Sequence, residues 1–78
     1  MKKAVVIEDD TISQKYIRRA LKSVVELHFA DNGKDGLALI FSLEPDIIIL
    51  DVELPDANGY ELCHEIRHHS QFLFTPIL

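Results

Sequence analysis

Two short aliphatic runs in this chain each stop on a carboxylate: Ala4-Val-Val-Ile7 runs into Glu8-Asp9-Asp10, and Ile47-Ile-Ile-Leu50 runs into Asp51. Neither run alternates with polar residues, and both are too short for a buried helix. They read as strands buried on both faces, the kind found in parallel sheets covered by helices on either side. In an open parallel sheet the carboxyl ends of the strands are where ligands bind. The spacing therefore predicts two strand tips that offer acids to a common site.

The rest of the chain supplies the helices such a sheet needs. Thr11-Ile-Ser-Gln14 has the form of a capping box, and Ile17, Ala20, Leu21 and Val24 follow at helical spacing, predicting a first helix over 12–22. Leu27 and Phe29 alternate with Glu26 and His28, as in a half-buried or edge strand. Asp31-Asn-Gly33 supplies a turn, and Leu37 to Leu43 an apolar second helix that stops before Pro45, since the residue preceding proline avoids the α region. After the strand Ile47 to Leu50, Asn58-Gly-Tyr-Glu61 caps a third helix with Leu62, Cys63 and Ile66 turned inward, and Thr75 to Leu78 begins a fourth strand. Strand and helix alternate throughout, which is the pattern of an α/β protein with a parallel sheet.

Composition narrows the function classes. Residues 1–78 make one small unit with 47% apolar residues, room for a single core and a net charge of minus five. Without a basic stripe, nucleic-acid binding by this chain is not expected, because phosphate neutralisation needs clustered Lys and Arg. Lys15, Arg18, Arg19 and Lys22 read as the wet face of the first helix. No apolar run is long enough to span a membrane. The single Cys63 excludes an internal disulfide and, with no signal-like segment after Met1-Lys2-Lys3, is in keeping with a cytoplasmic location.

Glu8, Asp9 and Asp51 on neighbouring strand tips repel one another unless a cation joins them. Magnesium accepts one or two carboxylates, keeps waters and leaves positions for phosphate oxygens, so an open acidic cup suits Mg²⁺ and phosphoryl chemistry. The stretch Asp51 to Gly59 lacks the alternating acids and terminal glutamate of a calcium loop. Asp10 reads as a helix cap rather than a further ligand.

With Ile7-Glu-Asp-Asp10 after the first strand, Asp51 after the third and Leu-Pro-Asp-Ala-Asn-Gly59 behind it, the chain resembles the receiver domain of bacterial two-component response regulators, from Lys3 to Leu78. The resemblance implies a three-layer α/β/α flavodoxin-like sheet of strand order 2-1-3-4, ending before the fifth strand. It implies that Asp51 accepts a phosphoryl group from a sensor histidine kinase or phosphotransfer protein. Asp9 would then hold Mg²⁺ directly, Glu8 through water, and Glu53 through its backbone carbonyl. Such a domain is a signalling switch rather than an enzyme. The family's Ser or Thr at the end of the fourth strand and Lys at the end of the fifth fall beyond Leu78, so residues 1–78 alone are expected to take phosphate inefficiently. An uncovered sheet edge and face also suggest pairing of two copies into a dimer.

Other readings compete. A chain of this kind could act as an interaction or dimerisation fragment that is never phosphorylated. His64-Glu-Ile-Arg-His68 matches H-E-x-x-H, which on a helix sets two imidazoles one turn apart and offers Glu65 as a base beside zinc. No third ligand in the required context is apparent, and both histidines fall away from the inward face. Asp51-Val-Glu53 also resembles the nucleophile motif of haloacid-dehalogenase-type phosphatases. There, however, the nucleophile follows an early strand and the second acid is typically Asp.

Overall fold

The computed structural model describes residues 1–78 and contains one parallel sheet. Strands β1 (Lys3–Ile7), β2 (Glu26–Ala30) and β3 (Ile47–Leu50) lie in the order β2-β1-β3, with helices α1 (Thr11–Leu21), α2 (Gly33–Leu43) and α3 (Gly59–Arg67) between and after them. Right-handed crossovers dictate the layering. The step from β1 to β2 runs one way across the sheet and the step from β2 to β3 runs back, so α1 falls on one face and α2 on the other.

Central β1 explains its own sequence. Ala4, Val5, Val6 and Ile7 are all fully buried, because neighbours flank the strand and helices cover it. Val5 and Ile7 point into the main core with Ile48, Ile40, Leu62, Ile66 and Phe72. Alternation sends Ala4 and Val6 to the opposite face. Val6 pairs in register with Phe29, over whose ring the guanidinium of Arg18 stacks at 4.5 Å, so that face belongs to α1.

The helices depart from expectation in instructive ways. The cap of α1 is Asp10, as its reading as a helix cap foresaw, and not the capping box at Thr11: its backbone is extended and its carboxylate accepts from the Ser13 amide at 3.1 Å and the Ser13 hydroxyl at 2.7 Å. A charged acceptor at a helix N-terminus outcompetes a hydroxyl one residue on. No α1 residue is fully buried, Ile17 and Leu21 are only half covered, and the expected inward residues Ala20 and Val24 are exposed. Helix α2 begins at Gly33 rather than Leu37, because Asn32 caps it by accepting from the Asp35 amide. It ends as foreseen before Pro45, with Glu44 in the left-handed region at φ 49°. Cys63 is half-buried rather than in the core, which α3 reaches through Leu62 and Ile66.

The fourth strand is reduced to a single parallel bridge between Ile48 and Ile77. Its hydrogen bonds run from Ile48 N to Pro76 O, Leu78 N to Ile48 O and Leu50 N to Leu78 O, each at 2.9 Å. The segment lies where a strand of order 2-1-3-4 would, on the free edge of β3. Pro76 can donate nothing to the ladder, and the contacts are too few for a named strand.

Candidate functional site

Register creates the site. Ile7 pairs with Leu50 across β1 and β3, so the next residue on each strand, Glu8 and Asp51, emerges side by side. The ladder continues just far enough to hold them: Asp51 N donates to Ile7 O at 3.0 Å, and Glu8 N donates to Ala30 O at 2.9 Å. Carboxylate oxygens of Glu8, Asp9 and Asp51 all lie within 4.8 Å of one another. They are the sole group of three or more metal-capable side chains drawn so close. Two oxygens on opposite sides of a Mg²⁺ ion stand about 4.2 Å apart. Adjacent oxygens on that ion stand about 2.9 Å apart, so the trio would hold it once the acids draw inward or with one acid bridged by water.

Electrostatics marks the same place. Glu8 is held above the ordinary glutamate range, first by partial burial, then by its hydrogen bond with Asp51 and by the charges of Asp51 and Asp9, against the pull of the Asp10 amide. A carboxyl that prefers to keep its proton among other acids is one a cation would relieve. The open cleft over the trio is walled by Asp9, Asp51, Val52, Glu53, Leu54 and Pro55. A larger groove between α1 and α2, past Phe29, Asp35 and Ser42, contains none of the three acids.

The loop after β3 folds back tightly to form that wall. Glu53 and Asn58 pair antiparallel, Leu54 N donates to Ala57 O at 3.1 Å, and Gly59 N donates to Val52 O at 2.6 Å. A Cβ on Gly59 would press against the Asp51 carbonyl and sit 2.7 Å from Val52 Cα, so the return depends on the missing side chain. Asn58 caps α3 from the Tyr60 and Glu61 amides.

Sequence reasoning missed two tethers of the site. Asp56, at the tip of this loop, accepts from the Gly33 amide at 2.6 Å and the Lys34 amide at 3.0 Å, joining the loop to the N-terminus of α2. Those amides, Gly33 first, hold its carboxyl below the ordinary aspartate range. Gln14 Nε2 donates to Glu8 O at 2.5 Å, tying α1 to the acid turn. The only local signal for either was a polar residue near a turn. Asp10 caps α1, and its bonds with the Ser13 hydroxyl and amide lower its pKa. Asp31 follows β2 in the same register but turns to Asn32. His64, Glu65 and His68 stand on the exposed face of α3, outside the three-residue cluster, so the peptidase reading lacks its third ligand.

The sequence matches the family model of the response regulator receiver domain over residues 4–78. It is similar to the sensor histidine kinase TmoS of Ectopseudomonas mendocina, at 29% identity over 97% of this chain and 8% of that protein. It is also similar to protein-glutamate methylesterase/protein-glutamine glutaminase 3 of Geobacter sulfurreducens, at 32% identity over 87% of this chain and 19% of that one. Among solved structures, the chemotaxis response regulator CheY4 of Vibrio cholerae matches with a TM-score of 0.93 and 31% identity, over 99% of this chain and 65% of that chain. The chain thus spans less than two thirds of the length of each. No helix is long and apolar enough to cross a membrane.

Proposed function

Because this chain belongs to the response regulator receiver domain family of two-component systems, we propose that its acidic cleft accepts a phosphoryl group on Asp51. The observation that carries this reading is the convergence of Glu8, Asp9 and Asp51 within 4.8 Å at the carboxyl ends of adjacent strands. Residues 1–78 act as one receiver-like unit. The donor is a phosphohistidine on a sensor kinase or phosphotransfer protein, and the setting is cytoplasmic.

A carboxylate oxygen of Asp51 attacks the phosphorus, the phosphorus–nitrogen bond breaks, and the imidazole leaves with the electron pair and takes a proton from water. The product is an acyl phosphate on Asp51. Asp9 and the Glu53 carbonyl would hold Mg²⁺ directly and Glu8 through water; when bound, the ion neutralises charge developing on the phosphoryl oxygens. The folded-back loop keeps Glu53 beside Asp51, and its tether to α2 through Asp56 limits its drift. Positioning of this kind supplies much of the rate in phosphoryl transfer. The chain is an acceptor that turns over once per phosphate rather than a multiple-turnover enzyme. Two copies pair through the free sheet edge beside β3 and the face next to it, where Leu73, Phe74 and Leu78 are exposed; sedimentation as a monomer at every concentration would remove that pairing.

The test is a titration with Mg²⁺ followed by beryllofluoride, read by chemical shifts. Mg²⁺ is expected to move Glu8, Asp9 and Glu53, and the phosphoryl mimic to add a second set of shifts centred on Asp51. Asp51→Asn should abolish the second set and weaken the first. Silence at the acids with both ligands would overturn the proposal.

A further inference from the structure

Outside the acidic cleft, one motif remains unused by the function above. His64 and His68 lie one turn apart on the C-terminal half of α3, both exposed, with ring centroids 5.7 Å apart. We infer that this pair is a chelating site for a borderline divalent transition ion, Zn²⁺, Ni²⁺ or Cu²⁺, chemically separate from the oxygen-lined cleft.

The geometry is close to what such an ion requires. Two imidazole nitrogens bound at about 2.0–2.1 Å, with ligand angles between roughly 90° and 109°, set their ring centroids roughly 4.5–5 Å apart. The observed separation is larger by less than the reach of a small side-chain rotation, and both rings are free to make it. Neighbouring charges favour a cation: exposed Glu61 and Glu65 lie three residues before His64 and His68 respectively, at the spacing of helical neighbours. The cation of the same turn, Arg67, is turned away, its Nη1 donating to the carbonyl oxygens of Phe72 at 2.7 Å, Leu73 at 3.2 Å and Thr75 at 2.6 Å. His69 stands apart, its ring packed edge-on against Phe41 of α2 with centroids 4.7 Å apart.

Two protein ligands leave the other coordination positions to water, so the site is open and exchangeable rather than a closed structural centre. Imidazole ligands select against Mg²⁺, and the Irving–Williams order places Cu²⁺ ahead of Ni²⁺ and Zn²⁺. A bound ion also has a mechanical consequence. His68 closes α3, its amide donating to the carbonyls of His64 and Glu65 at 3.2 Å each, and the adjacent Arg67 gathers the segment that leads to the edge of β3. Clamping His64 to His68 stabilises the turn on which that segment hangs, because the chelate exists only while the helix does.

Zn²⁺ titration of the chain, followed by histidine imidazole shifts and by thermal unfolding, tests the inference. Expected are saturable one-to-one binding that moves the His64 and His68 rings together and raises the unfolding midpoint. His28 and His69 should stay still, and excess Mg²⁺ should not compete. His64→Ala and His68→Ala should each weaken binding about tenfold or more and remove the thermal shift, the order of loss seen when one tenfold step of affinity is about 1.4 kcal/mol. His69→Ala and Asp51→Asn should leave Zn²⁺ binding unchanged, which separates this site from the phosphoryl acceptor. Undiminished binding in either His64→Ala or His68→Ala, or Zn²⁺ shifts centred on Glu8, Asp9 and Asp51, would overturn it.

Discussion

The two faces of this sheet are built to different standards. On one, α2, α3 and the turn carrying Phe72 close a seven-residue core over Val5, Ile7 and Ile48. On the other, α1 lies alone, buries no residue completely and leaves Ile12 and Tyr16 in the open. The acids sit at the border, on turns that leave strands shared by both layers. Their spacing follows from the register of β1 and β3, and that register is locked mainly from the α2–α3 side, where a one-residue slip would carry Ile48 out of the core. The lesson is that the site rests on half of the molecule, and the α1 face is free to be covered by something else.

The contrast breaks most sharply in the cores. Ile66→Ala, at zero exposure, is expected to cost about 2–5 kcal/mol. Total stability for a chain of this size is on the order of 4–12 kcal/mol, so the variant should sit near the threshold of unfolding. Ile17→Ala on the half-covered side of α1 should cost on the order of 1 kcal/mol, in proportion to the smaller area it shields. Urea unfolding of the two variants decides the matter. Equal losses would mean that α1 is as firmly seated as α3.

Two glycines on the packed side separate stability from site geometry. At Gly36 a new Cβ would collide with the Ile7 side chain, and at Gly59 with the backbone of Asp51 and Val52. Each alanine substitution is expected to cost about 1–3 kcal/mol through overpacking. Only Gly59→Ala should also weaken Mg²⁺ binding strongly, because the displaced backbone belongs to the acid loop. If Gly36→Ala impaired the ion equally, the cleft would depend on the whole α2–α3 core rather than on its own turn.

Asp56 tests the loop alone. Asp56→Ala should lower the unfolding midpoint modestly and weaken Mg²⁺ by several-fold, since the Gly33 and Lys34 amides lose their acceptor and the loop its hold on α2. Lys34→Pro removes one of those donors in the first turn of α2, where an amide has no partner within the helix, and should reproduce part of the loss. An ion affinity untouched by both would make the tether a helix cap and nothing more.

Much of this arrangement was legible in the sequence, and the exceptions share a cause. Ala4 to Ile7 and Ile47 to Leu50 announced themselves because a strand buried on both faces has no polar alternation, and the acids behind them fell where parallel strands end. What stayed hidden depends on partners distant in the chain. The turn read at Asp31 to Gly33 is the capped start of α2, and Gly33 and Gly36 are glycine there because Ala57, Asp56 and Ile7 occupy the space a side chain would need. The value of Asp56 lies in amides more than twenty residues away, and local spacing carries no trace of them. Asp10 was legible as a helix cap, and only the rival capping box at Thr11 proved empty. Ala20 and Val24 kept helical periodicity without a surface to meet, since periodicity shows which face is apolar and not whether anything covers it.

The smallest effect is the subtlest probe of the border between the two halves: the dependence of stability on acid. Asp10 on the α1 side and Asp56 on the α2 side both have depressed pKa values through their cap hydrogen bonds, and Glu26 has one through His28. A depressed carboxyl binds its proton more weakly in the folded state. Its contribution is therefore whole above the ordinary carboxyl range of about 3.9–4.3 and is lost as pH falls through the folded values. Glu8 has the opposite sign. Its raised pKa means that the folded state takes up a proton earlier than the unfolded chain does, so crowding at the cleft is relieved as pH falls through that value. Titration downward from neutral pH should thus show a slight gain in unfolding midpoint before the acid loss begins. Glu8→Gln should erase the gain, and Mg²⁺ at neutral pH should supply it without the proton. On the acid limb, Asp56→Asn should flatten the slope more than Asp10→Asn, because α2 is part of the packed core and α1 can loosen without taking the sheet with it. Equal flattening would show that the two helices are coupled through Gln14 and the acid turn, and that the halves of the molecule unfold as one.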